Sequence, residues 1–201
     1  TNYTQTGLNS SYNSLTVKAE KRFSRGLTFL SAFTWSHNID YNNEALLDGS
    51  TGPVTPFDLR RERAHSTLDR RLSYNLSSVY ELPFGKDKAL FNSPLGSALF
   101  GGWQVGAIMA LYTGLPVTHS VNVNNQNLGG ANRGDWVRNP NLPASERTID
   151  RWFDLGAFVP NAPGTIGNAG RNLIWGPGTR NFDLMVSRIF KMPFEGHTLQ
   201  F

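Results

Sequence analysis

Apolar and polar side chains alternate with a period of two along five stretches of the chain, and a sixth stretch is begun. In "SLTVKAEKRF" (14–23), Leu15, Val17, Ala19, Lys21 and Phe23 fall on one side and Thr16, Lys18, Glu20 and Arg22 on the other. Successive side chains of a β-strand point to opposite faces, so this pattern is that of a strand with one apolar and one wet face. The same pattern recurs in "LTFLSAFTWS" (27–36), "SYNLSSVYEL" (73–82), "WQVGAIMALYT" (103–113) and "NFDLMVSRIF" (181–190), and "HTLQF" (197–201) starts it again. Each full stretch is about ten residues, the length a tilted strand needs to cross a bilayer core. Strands of soluble proteins most often have about five or six.

The connections constrain the topology further. "SRG" (24–26) is a tight turn, 37–72 is long and polar, 83–102 is intermediate, 114–180 is very long, and "KMPFEG" (191–196) is short. Shorter and longer links therefore alternate, as up-and-down strands of an outer-membrane barrel require, with short periplasmic turns and long extracellular loops. Aromatic residues agree with that frame. Phe23, Tyr80, Phe84, Trp103 and Phe190 mark the short-turn end, and Trp35, Tyr74, Tyr112 and Phe182 the other, as expected of rings that favour the headgroup region. The uncharged run 95–115 is long enough for a membrane helix, but its five glycines, with Gly101 and Gly102 adjacent, favour a turn followed by a strand.

Composition excludes several classes. The 201 residues are 39% hydrophobic and 12% aromatic, too apolar for a disordered tail. The net charge is +4, but the basic residues are interleaved with acids, as in "LRRERAHSTLDRR", which argues against nucleic acid as a partner. There is no cysteine, so disulfides and thiolate chemistry are absent. Thr1 is not an initiator methionine and the first residues carry no signal-peptide pattern, while "HTLQF" is a strand pattern cut short, so a processed or truncated fragment is expected.

Nothing in the sequence points to catalysis or to a cofactor. The histidines His37, His65, His119 and His197 are scattered, with no carboxylate or second histidine at metal-ligand spacing, and the carboxylates form no acid/base pair. "RGD" (133–135) is a lone tripeptide of the kind chance supplies. The connection 114–180 is dense in Gly, Asn and Pro, which mark specified turns. Its rings are costly to leave in water, so an ordered loop is expected, with Trp136, Arg151, Trp152 and Trp175 as candidate ligand contacts.

Three blocks resemble the C-terminal half of the β-barrel of TonB-dependent receptors, of the Oar-like subgroup. They are "YNSLTVKAEKRFSRGLTFLSAFTWSHNID", "VYELPFGKDKALFNSPLGSALFGGWQVGAIMALYTGLPVT" and "RTIDRWFDLGAFVPNAPGTIGNAGRNLIWGPGTRNFDLMVSRIF". That resemblance implies a barrel of about 22 strands, an N-terminal plug domain, and the TonB complex as a partner that energises transport, the last two lying outside this chain. Its implied cargo is a scarce nutrient such as a metal chelate, vitamin or glycan, with adhesion and export linked to some members.

The expected fold is thus all-β, with antiparallel up-and-down strands forming part of a transmembrane outer-membrane barrel, incomplete at five to six strands. It is localised to the bacterial outer membrane, in contact with lipid and with an unidentified extracellular ligand, and it is not an enzyme. Lys18, Glu20, Arg22, Glu81 and Asp183, with Thr16, Asn75, Ser77 and Ser187, are expected to face the lumen or plug, and 37–72 and 114–180 to lie outside the cell. The alternative is a soluble all-β carbohydrate-binding or adhesion module. It would bury Leu15, Val17, Phe29, Phe33, Leu76, Val105 and Leu184 against a second sheet, whereas a barrel leaves them in an exposed apolar band.

Overall fold

In the computed structural model, residues 7–41, 53–191 and 197–201 are described, and the turn expected at 191–196 lies, beyond Lys191, outside them. The strands are β1 (Ser11–Ser24), β2 (Leu27–Asp40), β3 (Ala64–His65), β4 (Leu72–Glu81), β5 (Trp103–Tyr112), β6 (Pro116–Val117), β7 (Asp135–Trp136), β8 (Phe158–Val159), β9 (Ile174–Trp175), β10 (Thr179–Lys191) and β11 (Thr198–Gln200). Six of them form one open sheet in the order β1-β2-β4-β5-β10-β11, with β3 pairing on β2. Neighbours in this meander are antiparallel, as the alternating stretches require. The fold is all-β, the up-and-down sheet of a partial barrel.

Several boundaries differ from the sequence pattern. β1 begins at Ser11, where "SYNS" offers a single ring, Tyr12, among polar residues and so shows no apolar alternation. β2 continues to Asp40, because Ile39 and Asp40 find partners in His65 and Ala64 of β3. The run 95–115 divides at Gly101 and Gly102 as expected, but a seven-residue helix, α1 (Pro94–Phe100), precedes the break. Pro94 starts it and the Ser93 side chain caps it by accepting from the Gly96 N–H. Among the described residues no helix is long and apolar enough to cross a membrane, which says nothing of strands.

The chain forms two compact units. One comprises Thr16–Thr34, Leu72–Tyr112 and Thr179–Phe201, and holds most of the sheet. Its turn between β1 and β2 is two residues long with positive φ at both, Arg25 (52°) and Gly26 (79°), as a tight hairpin needs. A Cβ on Gly26 would sit 2.9 Å from the Glu81 carbonyl oxygen, so only glycine lets β4 pass this close.

The register of the central strands sorts their side chains, because residues directly opposite one another in a sheet share a face. Val186, Val105 and Tyr80 align in one row, Leu184, Ala107 and Ser78 in the next, and Phe182, Met109 and Leu76 in a third. The other face carries Ser187, Gln104 and Glu81, then Met185, Gly106 and Val79, then Asp183, Ile108 and Ser77, then Asn181, Ala110 and Asn75. The first face is almost wholly apolar and the second is mixed. Tyr112 belongs to the second, where its hydroxyl donates to Asn75 Oδ1 at 2.6 Å, and so not to the outer aromatic belt expected of it.

The other unit comprises Thr1–Leu15, Trp35–Arg71 and Thr113–Gly178. The long connection is folded through two small sheets, β6 with β9 and β7 with β8. Ala157, Phe158, Ala169 and Ile174 are buried as a small core, with Phe153 and Leu173 packed against it.

Candidate functional site

Three features of the described residues bear on function: the apolar face of the sheet, a buried ionic network, and a histidine–aspartate cluster. On the apolar face, charges stand only toward the ends of the central strands. Arg180 is opposite Leu111, and Arg188 is opposite Trp103. The eight steps along β10 from one to the other rise about 26 Å at roughly 3.3 Å per residue, close to the height of the apolar band on outer-membrane barrels. Arg188 is drawn back from that band, as its Nε donates to the Gly101 carbonyl (3.0 Å) and its guanidinium lies 4.5 Å from the Phe190 ring centroid. In the paired strands β4, β5 and β10, nothing charged interrupts the rows in between.

The residues that separate a barrel from a soluble sandwich are all unburied. Leu15, Val17, Phe33 and Leu184 are exposed, Leu184 by 62%, and Phe29, Leu76 and Val105 are half-exposed. Leu15 and Val17 flank Thr16, whose hydroxyl lies 3.1 Å from that of Thr34. Of the residues expected to line the lumen, Glu81, Asp183, Asn75, Ser77 and Ser187 share the second face of the sheet. Lys18, Glu20 and Arg22 stand exposed on β1, with Arg22 Nε donating to Glu20 at 3.2 Å.

The ionic network is buried. Glu62 closes the 3₁₀ turn Leu59–Glu62 and is 2% exposed. Arg133, 3% exposed, donates to both of its oxygens, at 2.6 and 2.7 Å. Arg171 Nε donates to the Glu62 carbonyl, and Arg171 Nη2 also bonds Asp40. Arg133 is the first residue of "RGD", so an adhesion reading of that tripeptide fails: its guanidinium is committed inside the fold.

The histidine–aspartate cluster corrects the sequence analysis, which finds the histidines scattered and without a carboxylate. The turn 66–69 is held by the Asp69 N–H donating to the Ser66 carbonyl (2.9 Å), while the Ser66 N–H donates to the Asn38 carbonyl (3.0 Å). That turn carries Asp69 back onto the end of β2, fully buried, where Oδ1 accepts the Asn38 N–H at 2.8 Å. Oδ2 lies 2.8 Å from His65 Nδ1 and 3.3 Å from His37 Nδ1. Arg71 Nη1 approaches His37 Nδ1 at 2.6 Å and Oδ2 at 3.8 Å. His65 is fixed from behind by Asn172 Nδ2, which donates to its carbonyl at 2.6 Å, and by the edge of Trp175, 5.1 Å away between centroids. His65 and Asp69 are four residues apart in sequence, a legible pair. His37 joins them only through the pairing of β2 with β3.

Of the candidate ligand contacts, Trp152 and Trp175 are brought together, the Trp152 Nε1–H donating to the Trp175 carbonyl at 2.8 Å, and Arg147 lies 5.6 Å from the Trp152 ring. Trp152 also lines a cleft of about 370 Å³ with Val117, His119, Phe153 and Ile174. Trp136 stays 45% exposed on β7, opposite Phe158, and Arg151 is exposed beside Asp154. Burial pushes the His119 imidazole, stacked on Phe158, below its ordinary pKa. Asp154 is held below the usual carboxylate range, chiefly by its hydrogen bond from Arg138, against a smaller upward push from desolvation, and with help from the Gly156 N–H and Arg151.

A sheet that turns an uncharged apolar band of this height to its surroundings is the wall of a membrane barrel. The chain belongs to the outer membrane beta barrel domain family, whose model matches residues 1–201, and the protein accordingly resides in the bacterial outer membrane in contact with its lipid. No curated protein and no solved structure matches the chain. Membership in that family and the unburied apolar face set aside the soluble module.

Proposed function

We propose that this sheet is part of a TonB-dependent receptor, taking part in the energised passage of a ligand across the outer membrane without a catalytic step. The observation that carries the proposal is the contrast between the two faces. The face opposite the lipid band bears Glu81, Asp183, Asn75 and Asn181, but also Val79, Ile108 and Met185. A water-filled pore has no use for such apolar side chains, whereas a lumen packed against a plug domain uses both kinds. The Oar-like resemblance supports the same reading. Lys18, Glu20 and Arg22 join that wall, and Trp136, Arg151, Trp152 and Trp175 contact the ligand on the extracellular side.

The test is photo-cross-linking in the protein as its gene encodes it, with a benzophenone amino acid at Ser77 or Asp183 and, as control, at Leu184. Cross-links from Ser77 and Asp183 to an N-terminal plug segment, altered when TonB is deleted, are the expected result. Adducts to that segment that ignore TonB, or no adduct to any protein segment, would sink the proposal.

A further inference from the structure

We infer that His37, His65 and Asp69 form a binding site for a divalent first-row transition metal, with a coordination position left open to solvent. Their ligand atoms all lie within 4.8 Å of one another. Ligands about 2.1 Å from a shared zinc ion stand roughly 3.0 to 3.4 Å apart at octahedral or tetrahedral angles. Of the separations here, 3.3 Å for His37 Nδ1 to Asp69 Oδ2 matches such an edge, and 2.8 Å for His65 Nδ1 to the same oxygen is a hydrogen-bond distance that has only to lengthen slightly to become one. Two imidazoles with one carboxylate suit zinc or iron(II), and no thiolate is present to select a softer ion.

The present occupant of this space is informative. Arg71 Nη1 can only donate, so His37 Nδ1, 2.6 Å away, accepts and carries no proton. His37 Nδ1 and Asp69 Oδ2 are then two acceptors aimed at one region, and a lone-pair encounter at 3.3 Å holds only because a cation lies beside it. The Arg71 side chain is 35% exposed, so water can solvate its guanidinium once it is displaced, and the His37 and His65 side chains are 28% and 34% exposed, which leaves the open position facing water. The ligands are braced: the Asn38 N–H holds Asp69 Oδ1, and Asn172 and Trp175 hold His65. Such outer-shell support orients first-shell groups toward a metal. On binding, zinc replaces the guanidinium at His37 Nδ1 and the hydrogen bond between His65 Nδ1 and Oδ2, and a neutral His65 then carries its one proton on Nε2, with no net release of protons.

The experiment is zinc titration, by calorimetry, of the protein purified from outer membranes in detergent, with far-ultraviolet circular dichroism as the folding control. The expected result is one zinc ion bound at micromolar concentration, weakened by at least about tenfold in His37→Gln and in His65→Gln, and unchanged in His119→Gln. Arg71→Gln removes the competing cation and is expected to tighten binding several-fold, a change that a purely structural hydrogen-bond cluster would not produce. Absence of zinc binding to the folded protein, or binding that survives both His37→Gln and His65→Gln, or an Arg71→Gln variant that binds zinc no better than the parent, overturns the inference.

Discussion

Glu62 anchors a buried ionic network in the loop unit. It holds Arg133 by two charge-assisted bonds, while its other oxygen contact is the Val54 N–H at 3.0 Å. All of this is shielded from water, where breaking a pair by removing one partner costs about 3–5 kcal/mol because an uncompensated charge stays buried. Arg133 Nε is already without a partner among the described residues, so nothing nearby can absorb the loss. Glu62→Gln is therefore expected to lower the local stability around residues 54, 62 and 133 by about that amount, read as faster amide hydrogen exchange there. Neutralising the exposed Arg138–Asp154 pair serves as the control and should leave exchange unchanged. Unaltered protection in Glu62→Gln would show the network to be dispensable. None of this network was legible in the sequence, because Glu62 and Arg133 are 71 residues apart and no local pattern joins them. The His65–Asp69 spacing, by contrast, was in plain view, and only its third member required the fold.

At the scale of the element, the alternation that defines β4, β5 and β10 was readable because period two is a local property that needs no partner. Tyr112 shows where such reading slips. The aromatic pattern puts both Trp103 and Tyr112 in belts, yet nine positions separate them, so within one strand they point to opposite faces. The small sheets of the long connection were not legible either, since strands of two residues are too short to show any periodicity. The register gives β10 a sharp asymmetry that can be measured. Leu184 lies at the middle of the apolar band, four residues from both Arg180 and Arg188. Leu184→Arg is expected to cost about 2–4 kcal/mol in lipid vesicles, while the same change near either end of the band costs about 0–1. Ser77→Arg, on the opposite face, should cost less than Leu184→Arg. Denaturant titration of the vesicle-inserted protein reads the difference, and equal costs on the two faces would contradict the assignment of the lipid side.

For the whole molecule, the meander separates the connections into two sets by strand end. The links from β1 to β2 and from β4 to β5 join strands at one end of the meander, and the links from β2 to β4 and from β5 to β10 join them at the other. Outer-membrane barrels keep short turns in the periplasm and long loops outside, so the set containing 113–178 is expected at the cell surface. These 201 residues contain no cysteine, so a single thiol introduced here is the one reactive site of this segment, and the unsubstituted protein serves as the labelling control. Ile149 is 99% exposed and Phe57 91%, so Ile149→Cys and Phe57→Cys change little in the packing. Leu95, 77% exposed on α1, belongs to the other set. A membrane-impermeant maleimide added to intact cells is expected to label Ile149→Cys and Phe57→Cys at once, and Leu95→Cys only after the outer membrane is permeabilised. Surface labelling of Leu95→Cys with protection of Ile149→Cys would invert the topology and place the long segments in the periplasm, where Trp136, Arg151, Trp152 and Trp175 could not meet a ligand arriving from outside.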